Sequence, residues 1–358
     1  MQKIEEFLQK NGVKIAFMLV VIGAFSIILF TCIRPFNDWS GVADATLFAQ
    51  YGNFIGGLIG SVFSMAGFFL LYKTLIAQQK TLKNQEIDSI VQKSAIEKER
   101  FETTFFNLLN VQRNITDNVK AYFNLVNKSI EEYTITITGR EFFIFAKNEL
   151  SKINNSIDSS SYLGMFSGDE ETRFNIQLEI ENLYNPQSSS YDHPYLAKEK
   201  EIDIRKEVQI SCTNRFYKIT DLIWNKIHNE SNGINQAQEI YEIFFHHFRY
   251  AIGHYFRHLY HILRFVKEYK HTKIERVETD EEKSKIIDEC NQYTEFVQAQ
   301  MSTHELGLLY YNALCFPKSL ELIQEFNLLE NLAEEDLIAP IHYDKNIIRL
   351  KKQTELFG

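Results

Sequence analysis

The sequence predicts a mainly α-helical protein: an N-terminal transmembrane helical hairpin, a helical stalk, and a cytoplasmic α-helical bundle. Three observations predict it. Two long apolar runs without charge lie within the first 72 residues. The 358 residues hold only five prolines, and eight of the fifteen glycines fall before residue 68, so the remainder is poor in helix breakers. A proline-free stretch, Gln238 to Lys267, repeats its aromatic and aliphatic residues at helical spacing.

Taken in order, residues 1–14 form a short N-terminus ahead of a first span, 15–33, which is nineteen uncharged residues. That length crosses a hydrocarbon core of roughly 30 Å, and no small-residue cleavage site follows it. A loop over 34–50 leads to a second span, 51–72. Lys3, Lys10 and Lys14 precede the first span, and Lys73, Lys80 and Lys83 follow the second. The loop carries Arg34 with Asp38 and Asp44, and Phe36 and Trp39 suit the outer interface. Lysine placement therefore predicts two cytoplasmic termini and an external loop. Neither span contains a charged residue, which argues against an ion or proton pathway. Gly52, Gly56, Gly60 and Ser64 recur every four residues, a pattern that lets helix backbones approach in lipid. The stripe fits packing against the first span or a seam between copies in a homo-oligomer.

Residues 73–100 are polar, free of proline and rich in helix formers, with a thin seam of Leu75, Leu82, Ile90 and Ile96. They read as a helical stalk, with a short coiled coil as one form of it. At Phe101 the hydrophobicity rises, and Phe101, Phe105, Leu108, Leu109 and Ile115 share a face. This opens the cytoplasmic helical domain, 101–358. Tyr133 to Thr138 alternates and is β-branched, predicting a short strand or extended arm. Residues 154–171 and 184–194, rich in serine and asparagine, read as mobile loops. Residues 172–184 and 202–227 read as amphipathic helices, and 267–289, alternating in charge, as a solvated helix or loop. A helix begins near Ser302, where Ser302 and Glu305 form a capping box, and its apolar continuation should pack on the central helix. A last amphipathic, acidic helix is expected over 319–338.

Several functions are excluded or disfavoured. The net charge of −9 disfavours broad, sequence-independent nucleic-acid binding, although a local basic groove is compatible with it. Cys32, Cys212, Cys290 and Cys315 form no C-x-x-C pair and read as free thiols in a reducing compartment. The sequence holds no Walker loop, dinucleotide fingerprint, G-x-S-x-G elbow or H-E-x-x-H motif, and no cofactor is expected.

The apolar hairpin with its glycine-rich second span, the stalk and FETTFFNLLN (101–110) together resemble the phage abortive infection family (AbiC-like). HYFRHLYHILRFV (254–266), AQMSTHELGLLYYNAL (299–314) and GREFFIFAKNEL (139–150) extend the resemblance, while 151–235 has no counterpart in it. The resemblance implies a bacterial protein of the inner membrane, multi-pass, defending against phage in response to a phage-derived trigger. It does not bring a catalytic mechanism.

The central helix carries His247, His254, His258 and His261 within an arc of roughly 60° beside its apolar stripe, with Arg257 and Arg264 on the flank. Three readings compete. The polar edge could be structural, satisfied by neighbouring groups. It could bind a metal through His254 and His258, four residues apart, but no carboxylate or cysteine joins them at fixed spacing, and no metal is expected. Finally, Arg249 to His254 resembles the R-x4-H pattern of HEPN-type ribonucleases, with Tyr250 departing from the polar residue often found there. That resemblance implies a metal-independent endoribonuclease. Histidine would act on the 2′-hydroxyl or the leaving oxygen, and arginine would hold the phosphorane charge, usually across a dimer. The candidate catalytic set is His254 and Arg249, with Arg257, His258 and His261 beside them.

The sequence thus supports three functions as expectations: an abortive infection effector or sensor anchored in the lipid bilayer, a HEPN-like ribonuclease acting on RNA, or a non-enzymatic homo-oligomeric scaffold that perturbs the membrane.

Overall fold

The computed structural model describes residues 2–31, 45–54, 56–57, 60–127, 129–185 and 193–357. The predicted external loop with Arg34, Phe36, Asp38, Trp39 and Asp44, together with Cys32 and most of the serine-rich stretch 184–194, lies outside the described residues. The chain is mainly helical, with one two-stranded sheet among the described residues, and it divides into two units, Met1–Arg100 and Phe101–Gly358.

In the first unit, α1 spans Gln2–Thr31, α2 Ala45–Phe54, and α3 begins at Gly60, its helix extending to Asn118. α2 holds the start of the predicted second span and α3 its remainder, and Gly56 and Gly57 between them have π-helical geometry. Gly52 lies in α2, Gly56 between the helices, Gly60 opens α3 and Ser64 comes one turn into it. Asn11–Ile28 and the start of α3 are long and apolar enough to cross a membrane, with mean hydropathy 2.0 and 1.4. They run antiparallel, because Gly12 faces Lys73 while Gly23 faces Phe63, and a Cβ on Gly23 would stand 3.2 Å from the Phe63 ring. Ala16 and Ala66 are buried. A Cβ on Gly52 or Gly56 would meet nothing within 4 Å, whereas Gly23 lies close to Phe63.

The second unit opens with the last turns of α3, where Phe101, Phe105 and Leu109 are buried as their spacing predicts. A hairpin comes next, β1 (Lys120–Val126) antiparallel to β2 (Glu132–Thr138). The predicted extended segment is β2; its partner β1 was not foreseen, because KAYFNLV sits beside a phenylalanine-rich helix and carries no β-branched run. Ala121, Phe123 and Ile137 on its inner face are buried. Gly139, at φ +64 and close to the Asp117 carbonyl, turns the chain into α4 (Glu141–Ile157).

Residues 154–157 belong to α4, correcting the loop expected there. The segment after α4 makes specific contacts: Asn214 donates to the Leu163 carbonyl at 2.7 Å, Tyr162 donates to the Ile219 carbonyl at 3.1 Å, and Phe166 is buried. α5 (Glu170–Leu183) starts on Asp169, whose carboxylate accepts from Ser167 and the Thr172 N–H and is thereby held at about 2. Residues 202–227 are two helices instead of one: α6 (Pro194–Tyr217) ends on left-handed Lys218, and α7 (Asp221–His228) restarts on the Thr220 cap. Neither proline nor glycine marks that break.

α8 (Gly233–Ile274) is the axis of this unit, capped by Asn232, whose side chain accepts from the N–H groups of Ile234 and Asn235. It exceeds the predicted helix at both ends. The whole predicted stripe, Phe244, Phe248, Ile252, Tyr255, Leu259, Ile262 and Val266, is buried. α9 (Asp280–Ala299) and α10 (Thr303–Cys315) come after it, and α10 packs on α8 with the Ser302–Glu305 capping box in place. The acidic helix expected over 319–338 is shorter: α11 (Pro317–Glu325) stops before Asn327, at φ 48. Leu328, Leu329 and Leu332 then enter the core from turns, which an amphipathic pattern alone cannot separate from helix. Two 3-10 turns, a bridge from Ala333 to Lys351 and α12 (Gln353–Phe357) end the fold.

The last turns lock onto α8 at Gly233, where a Cβ would collide with the Ile341 carbonyl. Gly233→Ala should therefore destabilise the protein by about 1–3 kcal/mol in denaturant unfolding. Next to it His342 is fully buried, its Nδ1 3.1 Å from the Tyr311 hydroxyl, and burial lowers it from 6.5 to about 4. Below pH 6.5 the unfolded chain takes up this proton and the folded chain does not. Stability should thus fall between pH 6.5 and about 4, by up to about 3 kcal/mol, and His342 should add no pH dependence above that window. Unfolding midpoints of the wild type and His342→Gln across this range check it.

Candidate functional site

From Ile243 to Lys267, α8 contains no aspartate or glutamate. Opposite its buried stripe this segment exposes His246, Arg249, Tyr250, His254, Arg257, His261 and Arg264. Among the described residues Arg249, His254 and Arg257 have no hydrogen-bonding or ionic partner, whereas Arg264 pairs with Glu268 at 2.8 Å.

The structure splits the histidine stripe. His247 and His258 sit half-buried at the edge of the core. His247 packs against the Phe216 and Tyr217 rings, 4.3 and 5.4 Å between centroids. Burial lowers its pKa, opposed by the charge of Glu149. His258 places Nδ1 2.9 Å from Gln112 Oε1, and burial followed by His261 lowers its pKa. His254 and His261 face solvent. The structural reading thus fits two members of the stripe and leaves the other two, with Arg249 and Arg257, on the outer face. Among the described residues no three His, Cys, Asp or Glu side chains converge as a metal site requires, and Gln112 already engages His258.

Behind His258 lies a buried network that sequence reasoning missed. Glu305 accepts from the Ser302 N–H at 2.7 Å and from the Tyr255 hydroxyl at 3.2 Å. Burial, then Glu305, pushes the Tyr255 phenol well up. Among the described residues Gln112 Nε2 has no partner. The available signal was a glutamine on the inner face of α3, in step with Phe105, Leu109 and Thr116.

A second missed feature is a cavity of about 410 Å³ between the hairpin, α4 and α6. Glu149, almost fully buried on its wall, accepts from the Tyr217 hydroxyl at 2.7 Å and from Lys152 at 2.5 Å, and Arg215 pairs with Glu132. Cys212, also lining it, is a free thiol raised to about 12 by burial. Cys290 and Cys315 are likewise free and raised to about 11 and about 12, so the three are poor nucleophiles.

The outer face of α8, from His247, and the α9–α11 shell behind it coincide with a family signature. Residues 247–337 match the family described as "Putative phage abortive infection protein". The match covers about a quarter of the chain, including the 254–266 and 299–314 stretches on which the resemblance was drawn. FETTFFNLLN, GREFFIFAKNEL and the apolar hairpin lie outside the matched segment. No curated protein and no solved structure gives a significant match to the chain.

Substitution should separate the two halves of the stripe in the matched segment. His258→Ala leaves Gln112 Oε1 unsatisfied, and His247→Ala opens a gap against Phe216; each is expected to cost about 1–3 kcal/mol. His254→Ala, His261→Ala and Arg249→Ala should stay within about 0.5 kcal/mol of wild type. Unfolding midpoints of the five variants are the measurement.

Proposed function

We propose that this chain is a membrane-anchored antiphage protein of the abortive infection kind, with its helical unit in the cytoplasm. The family match over 247–337 carries this reading. Anchoring is supported by the first unit, which leaves Phe17 at 70% and Leu71 at 72% exposure on helices of spanning length. Such a surface is unfavourable in water and ordinary in lipid. The lysines around both spans support cytoplasmic termini in a bacterial inner membrane. Gly52 and Gly56, open on the chain itself, are available as a seam between copies.

A ribonuclease reading is favoured by one specific observation: Arg249 and His254 are exposed without partners on an acid-free helix face. In this reading His254 moves the proton of the 2′-hydroxyl or of the leaving 5′-oxygen, and Arg249 holds the phosphoryl oxygens through its planar fork. Arg257 and His261 lie beside them to neutralise flanking phosphates. A second copy, brought in by the membrane helices, would complete the site.

Infection of bacteria expressing the wild type, His254→Ala, Arg249→Ala or a chain lacking residues 1–72 tests both levels. The wild type should protect the culture, and removal of 1–72 should abolish protection while the protein stays abundant. Full protection without 1–72 would overturn the anchored reading. Loss of a general acid or base typically lowers rate by about 10²- to 10⁴-fold, so His254→Ala should abolish protection and RNA cleavage together. Protection retained by both His254→Ala and Arg249→Ala would leave a non-enzymatic scaffold that perturbs the membrane.

A further inference from the structure

The outer face of α8 continues onto the hairpin. Tyr250, next to Arg249, is 53% exposed, and its hydroxyl oxygen accepts from the Tyr122 backbone N–H at 3.5 Å. Tyr122 is itself 51% exposed, and Lys120 Nζ stands 5.8 Å from its ring centroid. Strand register sets Lys120, Tyr122 and Asn124 opposite Thr138, Thr136 and Thr134, all on the face away from Ala121 and Phe123. Asn124 is half-buried and the other five are exposed; none is acidic. Of the carboxylates that flank the strands, Glu131 bonds Asn127, Glu132 pairs with Arg215 and Asp117 lies 3.9 Å from Arg113, while Glu141 sits in the first turn of α4. The α8 cations are thus extended by two exposed aromatic rings, a lysine and a strip of hydroxyl and amide groups.

That combination has a specific ligand chemistry. Cations suffice to hold any polyanion, including an acidic protein face, and give no reason for exposed rings. Unstacked bases offer π-faces to tyrosine while their phosphates meet arginine and lysine, and only a single strand presents both at once. We propose that Tyr122 and Tyr250, with Lys120 beside them, form a stacking ledge that holds single-stranded RNA against the Arg249–His254 face of α8. The ledge rests on the ribonuclease reading of that face. It also accounts for Tyr250 where the R-x4-H pattern often has a polar residue: the ring serves the substrate, and its hydroxyl ties α8 to β1.

The test uses the full chain in detergent micelles carrying His254→Ala, so that the probe is not cut. The probe is a fluorescein-labelled oligouridine of about ten nucleotides, within the span of common single-strand sites. Added Tyr122→Ala or Tyr250→Ala should each weaken binding on the order of 10-fold, whereas Tyr122→Trp and Tyr250→Phe, which keep a ring, should bind like the parent. Duplex RNA of the same length should bind more weakly and be insensitive to the tyrosine changes. Unfolding midpoints equal to the parent's show that the alanine variants are folded, and the ring-retaining variants decide the matter if they are not. Unchanged affinity in both alanine variants would overturn the ledge. So would a polyglutamate peptide that displaces the oligouridine equally well with or without the tyrosines, which would mark an acidic-protein docking face. Cleavage by the chain that retains His254 keeps the two readings apart. Cleavage without tyrosine dependence removes the ledge alone; tyrosine-dependent binding without cleavage of any RNA removes the ribonuclease alone.

Discussion

The second unit depends on burying one side of α8. Phe244, Phe248, Ile252, Tyr255, Leu259, Ile262 and Val266 are all removed from water, and the hairpin, α4, α6, α7, α9, α10, α11 and the C-terminal turns all pack against this helix. Burial of side chains of this size contributes roughly 1.5–3 kcal/mol each, so the stripe alone rivals the net stability of a typical domain. α8 is about 63 Å long from its 42 residues, too long to vary in register without unseating several neighbours at once. The core therefore fixes the outer face as well. Side chains projecting from that face are displayed on a rigid element, which is what a binding or catalytic array needs.

That constraint also explains which parts were legible in the sequence. The stripe recurs at helical period over some twenty residues, so both its existence and its buried side could be read directly. The Ser302–Glu305 box was legible because the signal is local, four residues long and chemically specific. β1 was not: only Ala121 and Phe123 point inward, and a strand this short becomes recognisable through its partner. The break between α6 and α7 was hidden because Lys218 takes the left-handed conformation usually left to glycine, costing about 1–2 kcal/mol that the surrounding packing offsets. The Gln112–His258 bond joins residues 146 apart in sequence, and no spacing rule reaches so far.

The histidines show the same limit at a finer scale. On the helical wheel the four form one group, and nothing local distinguishes them. Burial does: His247 and His258 lie on the inner margin of the arc, where Phe216, Tyr217 and Gln112 cover them and the cost of desolvating a charged imidazole lowers their pKa. His254 and His261 lie on its outer margin, in water. A helical wheel resolves direction, but the depth at which neighbouring elements stop is a tertiary property.

Net charge was the weakest guide to the outer face, for a physical reason. The value of −9 belongs to the whole chain, while at physiological salt a charge is screened over about 8 Å. The acid-free segment between Glu242 and Glu268 extends for about 39 Å of helix, several screening lengths. Many of the acids are placed elsewhere: Asp280, Glu281 and Glu282 favour the N-terminus of α9, and Glu330 and Glu334 pair with Lys351 and Lys352. In the ribonuclease reading, a polyanion reaching this stretch of α8 meets Arg249, Arg257 and the hairpin's Lys120 without a competing carboxylate between Glu242 and Glu268. In that reading, acidity elsewhere acts with the local cations, because it disfavours other orientations of the ligand.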